Sequence, residues 1–312
     1  MTWSRSQLGP AGQRLARFGG GAISTGARHL RRRSSLKARP KPWESSILDD
    51  LADKRPWNLL LKATRLWALF RLRSDERGAV TVLIVNWETA AETATTLAAV
   101  RRFSPPGTRM LVLDNASSDG SAERFRQLDP GLRVHRLPVN VGHPIAMDLG
   151  THLARTELVV TLDSDAFPLG EGWLSPVVAP FDDPSVVLAG TTSKRGFVHP
   201  MYSCVRRSAF VRRRLSWQLW SVRDHDLDSL VFGEERFDAG ELMTPRLAPH
   251  EVVFLERTPN RVDGLPGMTV ADCVYHHGGV TRAKQAQGTK SSWDQAVASL
   301  LPPDLAQPRS RG

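Results

Sequence analysis

Two aspartates set two residues apart, Asp163 and Asp165, follow the apolar run Glu157–Leu162 (ELVVTL) and are the pair best suited to hold a hard cation. Alternate residues of an extended segment point the same way, so both carboxylates would offer oxygen ligands on one side. Mg²⁺ or Mn²⁺ held there would bridge diphosphate oxygens and neutralise charge on a departing group. Ser164 lies between the two acids. Polar residues also follow two other apolar runs: Asn86-Trp87-Glu88 after AVTVLIVN, and Asp114-Asn115-Ala116-Ser117-Ser118-Asp119-Gly120 after RMLVLD. Neither G-x-G-x-x-G nor G-x-x-x-x-G-K-[ST] follows any of these runs, which weakens dinucleotide and P-loop readings. With no glycine loop or loop lysine to hold a pyrophosphate, a divalent cation is the natural substitute.

The elements that must position these groups read as strand and helix in alternation. Ala79–Asn86, Arg109–Asp114, Leu132–Leu137 and Glu157–Leu162 are short β-branched or apolar runs, the mark of strands buried in a parallel sheet. Glu88–Arg102, Ser121–Gln127 and Pro144–Ala154 have helical spacing between them. The alternation predicts a doubly wound α/β sheet, with helices on both faces and ligands at the carboxyl ends of the strands. Beyond about residue 185 the pattern becomes irregular, with short strands at Val186–Ala189 and Tyr202–Val205 and a helix at Ser208–Trp220; this half is expected to shape the acceptor side. No repeat is visible. The boundaries read as a basic, Gly/Ser/Arg/Pro-rich extension over 1–50, a basic amphipathic helix and linker over 51–78, the catalytic domain over 79–290 and a C-terminal tail over 291–312.

The net charge of +10 is unevenly distributed. Residues 1–78 hold 17 Lys/Arg and 6 Asp/Glu, whereas 79–312 hold 25 and 26, so the body is near neutral. A nucleic-acid enzyme would carry its basic stripe on the folded domain, so no nucleic-acid partner is expected. Lys54, Arg55, Lys62, Arg65 and Arg73 share one arc of a helical wheel, and Trp57, Leu60, Ala63, Leu66, Trp67 and Phe70 fill much of the rest. Such a helix either lies on an anionic membrane surface or docks on the domain with its charges in water. Cys204 and Cys273 give neither a disulfide framework nor a zinc spacing. No apolar run reaches the roughly 18–20 residues of a membrane span, and no apolar h-region opens the chain. The expected setting is cytoplasmic, with peripheral contact at the inner face of the membrane through residues 51–73.

From about Val80 to Arg282 the chain resembles glycosyltransferase family 2 and its GT-A-fold relatives. VLIVNW (82–87) is similar to the first-strand motif of that family, LVLDNASSDGS (111–121) to its base- and ribose-contacting segment, VNVGHPIAMDLG (139–150) to its N-x-G segment, and TLDSDAFP (161–168) to its metal-binding D-x-D. The resemblance implies a GT-A fold, a nucleotide-sugar donor bound by Asn86, Trp87, Asp114, Asn115, Asp119, Asn140, Gly142 and Ser164, and a metal with Asp165 as its main ligand beside Asp163. The late segment Tyr275-His276-His277-Gly278-Gly279-Val280-Thr281 resembles the family's H-x-x-G-x-S/T, which makes His276 a third metal group. Adjacent histidines on a strand face opposite ways, so only one should enter the site, with His277 in reserve.

Inverting relatives carry Phe-Asp followed by a Glu-Asp pair whose aspartate deprotonates the acceptor. Here Phe237-Asp238 and Gly240-Glu241 match, but Leu242 stands at the place of the second acid. Glu241 is therefore the first candidate base and Asp238 the second. The implied reaction is inverting transfer of a sugar to an unidentified sugar, lipid-linked or small-molecule acceptor, in a setting of surface-polysaccharide assembly. Two alternatives stand beside it. One is a nucleotidyltransferase making an activated sugar, which would open with a Gly-rich loop. The other is a non-catalytic GT-A-like scaffold, which would have no need of metal ligands.

Overall fold

The structure, a computed structural model, describes residues 55–72, 76–218, 229–232, 235–260, 264–278 and 289–306. Its centre is a seven-stranded sheet. In chain order its strands are β1 (Glu76–Asn86), β2 (Arg109–Asp114), β3 (Arg133–Arg136), β4 (Thr156–Leu162), β6 (Leu188–Thr192), β7 (Val198–Arg206) and β10 (Val252–Leu255). Across the sheet they run β10-β6-β7-β4-β1-β2-β3. The pairs β4–β1, β1–β2, β2–β3 and β10–β6 are parallel, and only β7 runs against its neighbours.

Helices cover both faces, and the side-chain alternation of the strands explains why. Val82, Ile84, Val112 and Val160 point to one face, where they join Leu97, Val100 and Phe103 of α2 (Ala90–Phe103) and Phe125 of α3 (Ser121–Leu128). Leu83, Val85, Leu111, Leu113 and Val159 point to the other, against Ala146, Met147 and Leu149 of α4 (His143–Leu153). Strands buried on both sides must be apolar throughout, which is what the β-branched runs announce. Helix α1 (Arg55–Arg71) docks on α4 and on α5 (Arg207–Arg212) through Leu61 and Ala68. Among the described residues no helix is long and apolar enough to cross a membrane.

A smaller antiparallel sheet fixes the far side of the site. Strand β5 (Ala166–Pro168) pairs with β13 (Val274–His276), followed by β12 (Met268–Val270) and β11 (Arg257–Pro259). The residues β8 (Ser229–Phe232) and β9 (Glu235–Asp238) form a separate hairpin.

Several elements differ from expectation. The helix expected at 208–220 ends at Arg212, because the chain reverses at Arg214 (φ +56°) and buries Trp217. Trp217 donates from its backbone N–H to Asp148 at 2.8 Å and from its indole to Thr151 at 3.0 Å, which seats its ring in the core. Trp220 and the Asp224–Asp228 acidic stretch lie outside the described residues. Arg206 pairs with Glu157 at 2.8 Å, and the fully buried Arg207 caps the last carbonyls of α4 at Thr151 and His152. The first strand begins at Glu76, inside the stretch set off as linker. The stretch set off as a C-terminal tail carries α6 (Thr289–Leu300), which buries Trp293, Ala296 and Val297 in the main core. Trp293 packs edge-on to Phe167 of β5, so α6 clamps the strand that leads out of the D-x-D turn. Replacing Trp293 with alanine is expected to cost about 3–5 kcal/mol of unfolding free energy in urea denaturation, the loss usual for a buried large aromatic.

Candidate active site

Four side chains stand in a row at the carboxyl edge of the sheet. Strand pairing sets Asn86 beside Asp114 and Asp114 beside Arg136, while β4 delivers Asp163 on the other side of β1. Two strand spacings separate the Asp114 end from the Asp163 end, about 10 Å at the usual spacing.

The D-x-D segment leaves the strand before its acids are placed. Asp163 follows β4, and the amide of Ala166 donates to the Asp163 carbonyl at 3.1 Å, closing a tight turn. Strand alternation therefore does not bring the two carboxylates together; the turn does. The hydroxyl of Thr96, on α2, holds the carbonyl of Ser164 at 3.0 Å. Pairing of β5 with β13 sets His276 opposite Ala166, and His276 Nε2 lies 3.3 Å from Asp163 and 3.4 Å from Asp165. One ligand atom from each of the three lies within 4.8 Å of the other two. The neighbouring His277 turns away: its Nε2 meets Ser292 at 3.0 Å and its ring packs on Trp293. Gly279, Val280 and Thr281 lie outside the described residues.

The electrostatics fit a cation. Burial alone would push the His276 imidazole down and the Asp163 carboxyl up. The charge of Asp165 and hydrogen bonds to both acids instead lift His276 to about 10, and His276 in turn holds Asp163 well below the usual carboxylate range. A half-buried and a buried acid this close favour positive charge between them, and the imidazolium supplies it. Two carboxylate oxygens and one imidazole are a ligand set that a divalent cation such as Mn²⁺ could take, in place of the proton of His276.

On the Asp114 side, most of the polar residues hold one another. The Asn86 amide donates to Asp114 Oδ1 at 2.8 Å and to Ser117 at 3.0 Å, and its oxygen accepts from Thr89 and Thr93. Asn115 donates to Asn140 at 2.6 Å and accepts from the Val141 amide at 2.9 Å. The Gly142 amide donates to Asn140 at 2.8 Å, and its φ of +84° turns the chain into α4, a backbone state that favours glycine. Asp119 accepts from the first amides of two helices, Ala90 at 3.0 Å and Ser121 at 3.1 Å. These residues build the loops. Asp114 differs: it is fully buried, and its Oδ2 has no hydrogen-bond partner among the described residues, with the Arg136 guanidinium 3.5 Å away. Trp87 is half-buried beside it.

The two candidate bases have opposite surroundings. Glu241 is fully buried; its Oε2 accepts from Arg195 Nε at 3.0 Å, from a second nitrogen of that guanidinium, and from the Asp238 amide at 2.9 Å. Gly240 before it has φ +77°, and a Cβ there would lie 2.8 Å from the Trp217 ring. Asp238 is 34% exposed, with His199 Nε2 at 3.7 Å. The Met201 amide donates to His199 Nδ1 at 3.1 Å, which leaves the proton of the neutral ring on Nε2, facing Asp238. His143 Nε2 lies 4.0 Å from Asp163. Arg136, His143, Arg195 and His199 carry no spacing signal in the sequence. His143 alone has a positional one, directly after the N-x-G segment.

Residues 81–226 match the family model described as Glycosyl transferase family 2. The matched span is a little under half of the chain. It contains Asn86, Asp114, Asn140, Asp163 and Asp165, whereas Asp238, Glu241 and His276 lie beyond it. Among solved structures, S. aureus TarS 1–349 in complex with UDP-GlcNAc is similar at 15% identity over 45% of this chain and 48% of that one, with TM-score 0.39. The mannosyltransferase PcManGT from Pyrobaculum calidifontis in complex with GDP-Man and Mn²⁺ is similar at 18% identity over 53% and 59%, with TM-score 0.41. The chain thus spans about half the length of these structures. S. aureus TarS 1–349 without ligand is similar at 13% identity over 75% and 74%, with TM-score 0.45. No curated protein matches the chain.

Because an ion bound there would displace the proton that His276 holds up to a pKa of about 10, Mn²⁺ binding to the protein is expected to tighten as pH rises. Titration calorimetry at pH 6.5 and 8.5 should show roughly a tenfold gain in affinity per pH unit for one released proton, and a flatter profile in His276→Gln.

Proposed function

We propose that this protein is a metal-dependent glycosyltransferase that moves a sugar from a nucleoside-diphosphate sugar to an acceptor hydroxyl with inversion. One observation carries the reading: the Asp163–Asp165–His276 trio and the buried Oδ2 of Asp114, which has an ion pair with Arg136 but no hydrogen bond among the described residues, lie on one sheet edge, about 10 Å apart. That distance matches the reach from a diphosphate to its base.

Asp114 Oδ2 accepts a hydrogen bond from the base or ribose, and Asn86 holds the carboxylate in that orientation through its other oxygen. Asn115, Asn140 and Gly142 keep the loop before α4 open for the nucleotide. Asp163, Asp165 and His276 hold Mn²⁺ or Mg²⁺, which when bound neutralises the leaving diphosphate. Asp238 takes the acceptor proton, with His199 orienting its carboxyl. Glu241 is the anchor of that wall. Its Oε2 is held by Arg195 and the Asp238 backbone, and its Oε1 is buried without a hydrogen-bond partner among the described residues.

A thermal-shift panel of nucleoside diphosphates tests the reading. At least one is expected to raise Tm by several degrees with Mn²⁺ and far less without it, through linkage. Asp165→Ala should abolish the metal-dependent part. A panel in which no nucleoside diphosphate shifts Tm under either condition would contradict the assignment. For the base, Asp238→Asn is expected to keep nucleotide binding and to slow transfer by about 10²–10⁴-fold. Glu241→Gln should instead lower stability, by about 1–3 kcal/mol, because it weakens the charged hydrogen bonds that the buried Glu241 accepts from Arg195. An unchanged Tm with lost turnover in Glu241→Gln would return the base to Glu241.

A further inference from the structure

Helix α1 has two differently used faces. One is docked: Leu61 and Ala68 are buried, Thr64 Oγ1 meets His152 Nδ1 at 3.2 Å, and Arg65 donates to the Val211 carbonyl at 2.9 Å. Arg65, which belongs to the basic arc of the wheel, therefore serves the docked face. The opposite face carries Leu59, Leu66 and Phe70, which are 65%, 55% and 79% exposed, with Lys62 and Ala63 beside them in solvent. Positions 59, 63, 66 and 70 recur at helical spacing and form one stripe. Docking does not use this stripe, and among the described residues nothing covers it.

A basic cluster adjoins the stripe. The Arg71 guanidinium lies 5.3 Å and that of Arg155 5.9 Å from the centre of the Trp67 ring on α1. Arg155 directly precedes β4, Arg133 opens β3 and Arg109 opens β2, so three arginines gather at the amino-terminal edge of the parallel strands. They lie close enough to act on one another: burial first, and then the charges of Arg155 and Arg109, push the Arg133 guanidinium down from its ordinary value.

We propose that this face, the Leu59–Leu66–Phe70 stripe with the strand-start arginines, rests on an anionic lipid bilayer. Apolar side chains enter the headgroup boundary while neighbouring arginines meet lipid phosphates, and each element strengthens the other. Charge favours this occupant over a second copy of the chain. A two-fold contact through the face would bring one arginine cluster against another. Residues 1–78, the stretch that includes α1, carry 17 Lys/Arg against 6 Asp/Glu. The strand starts lie at the sheet edge opposite Asp114 and Asp163, so the catalytic edge of a bound molecule points away from the lipid. The inference stands apart from the transferase reading and does not need it.

Sedimentation of the full chain with vesicles of phosphatidylcholine, with and without phosphatidylglycerol, tests it. The protein is expected to sediment with the anionic vesicles only. Leu59→Ala/Leu66→Ala/Phe70→Ala, which keeps good helix formers, should lower the partition coefficient at least about tenfold. Arg133→Gln/Arg155→Gln should lower it by a similar factor and weaken its dependence on salt. The proposal is overturned if the unaltered chain ignores anionic vesicles, or if the triple variant partitions as the unaltered chain does. It is equally overturned if sedimentation velocity without lipid shows a dimer that the triple variant dissolves, since the stripe would then belong to a second copy.

Discussion

Two aspartates held side by side in a half-buried turn repel each other, and the elements around them answer that repulsion. His276 is brought to them from more than a hundred residues away by the β5–β13 pairing. Its Nδ1 is buried without a hydrogen-bond partner among the described residues, so what holds the ring is the charge of the acids at Nε2. The small sheet exists at this place because β5 begins where the turn ends, and α6 packs Trp293 against its Phe167. A cation that replaces the imidazole proton inherits a site already organised for positive charge. Preorganisation of this kind costs nothing at the moment a diphosphate leaves.

The wall on the acceptor side follows a different logic. Asp148, on α4, accepts from Ser216 at 2.6 Å, the Trp217 amide at 2.8 Å and Gln218 at 2.8 Å. Burial lifts its carboxyl to about 6 against those bonds. These contacts seat Trp217, whose carbonyl accepts from the Gly240 amide at 2.6 Å, and Gly240 leads into the Glu241–Arg195 pair. A chain of buried polar contacts thus runs from α4 to Asp238, the exposed acid of the pair. The same helix presents His143 to Asp163 at its other end, so α4 links the two halves of the site.

What the sequence makes legible follows from how local each signal is. Strands buried on both faces must be apolar throughout, so β1, β2 and β4 announce themselves, and with them the sheet edge where Asn86, Asp114 and Asp163 stand. The nearness of Asp163 to Asp165 was also readable, although its cause was not: a turn closed by the Ala166 amide replaces the expected alternation. Arg136, Arg195 and His199 were invisible because strand pairing and burial, not spacing, bring them in. Asp119, Asn115 and Asn140 look like ligand groups by type, yet their side chains cap helices and tie loops, a distinction that only partners reveal. Glu241 and Asp238 illustrate the same limit: three residues apart in sequence, one is sealed under Arg195 and the other faces solvent. The exposed stripe of α1 was hidden as well, because a wheel shows which residues are apolar and not which arc meets the domain.

The central claim is that Asp163, Asp165 and His276 together hold a divalent ion against a nucleoside diphosphate. Pulsed electron paramagnetic resonance of the Mn²⁺-loaded protein tests it most directly. The account predicts a ¹⁴N coupling from one directly bound imidazole, absent in His276→Gln, and a ³¹P coupling that appears when UDP or GDP is added and is missing in Asp165→Ala. A Mn²⁺ spectrum without imidazole nitrogen, or one in which neither diphosphate brings phosphorus to the ion, would contradict it.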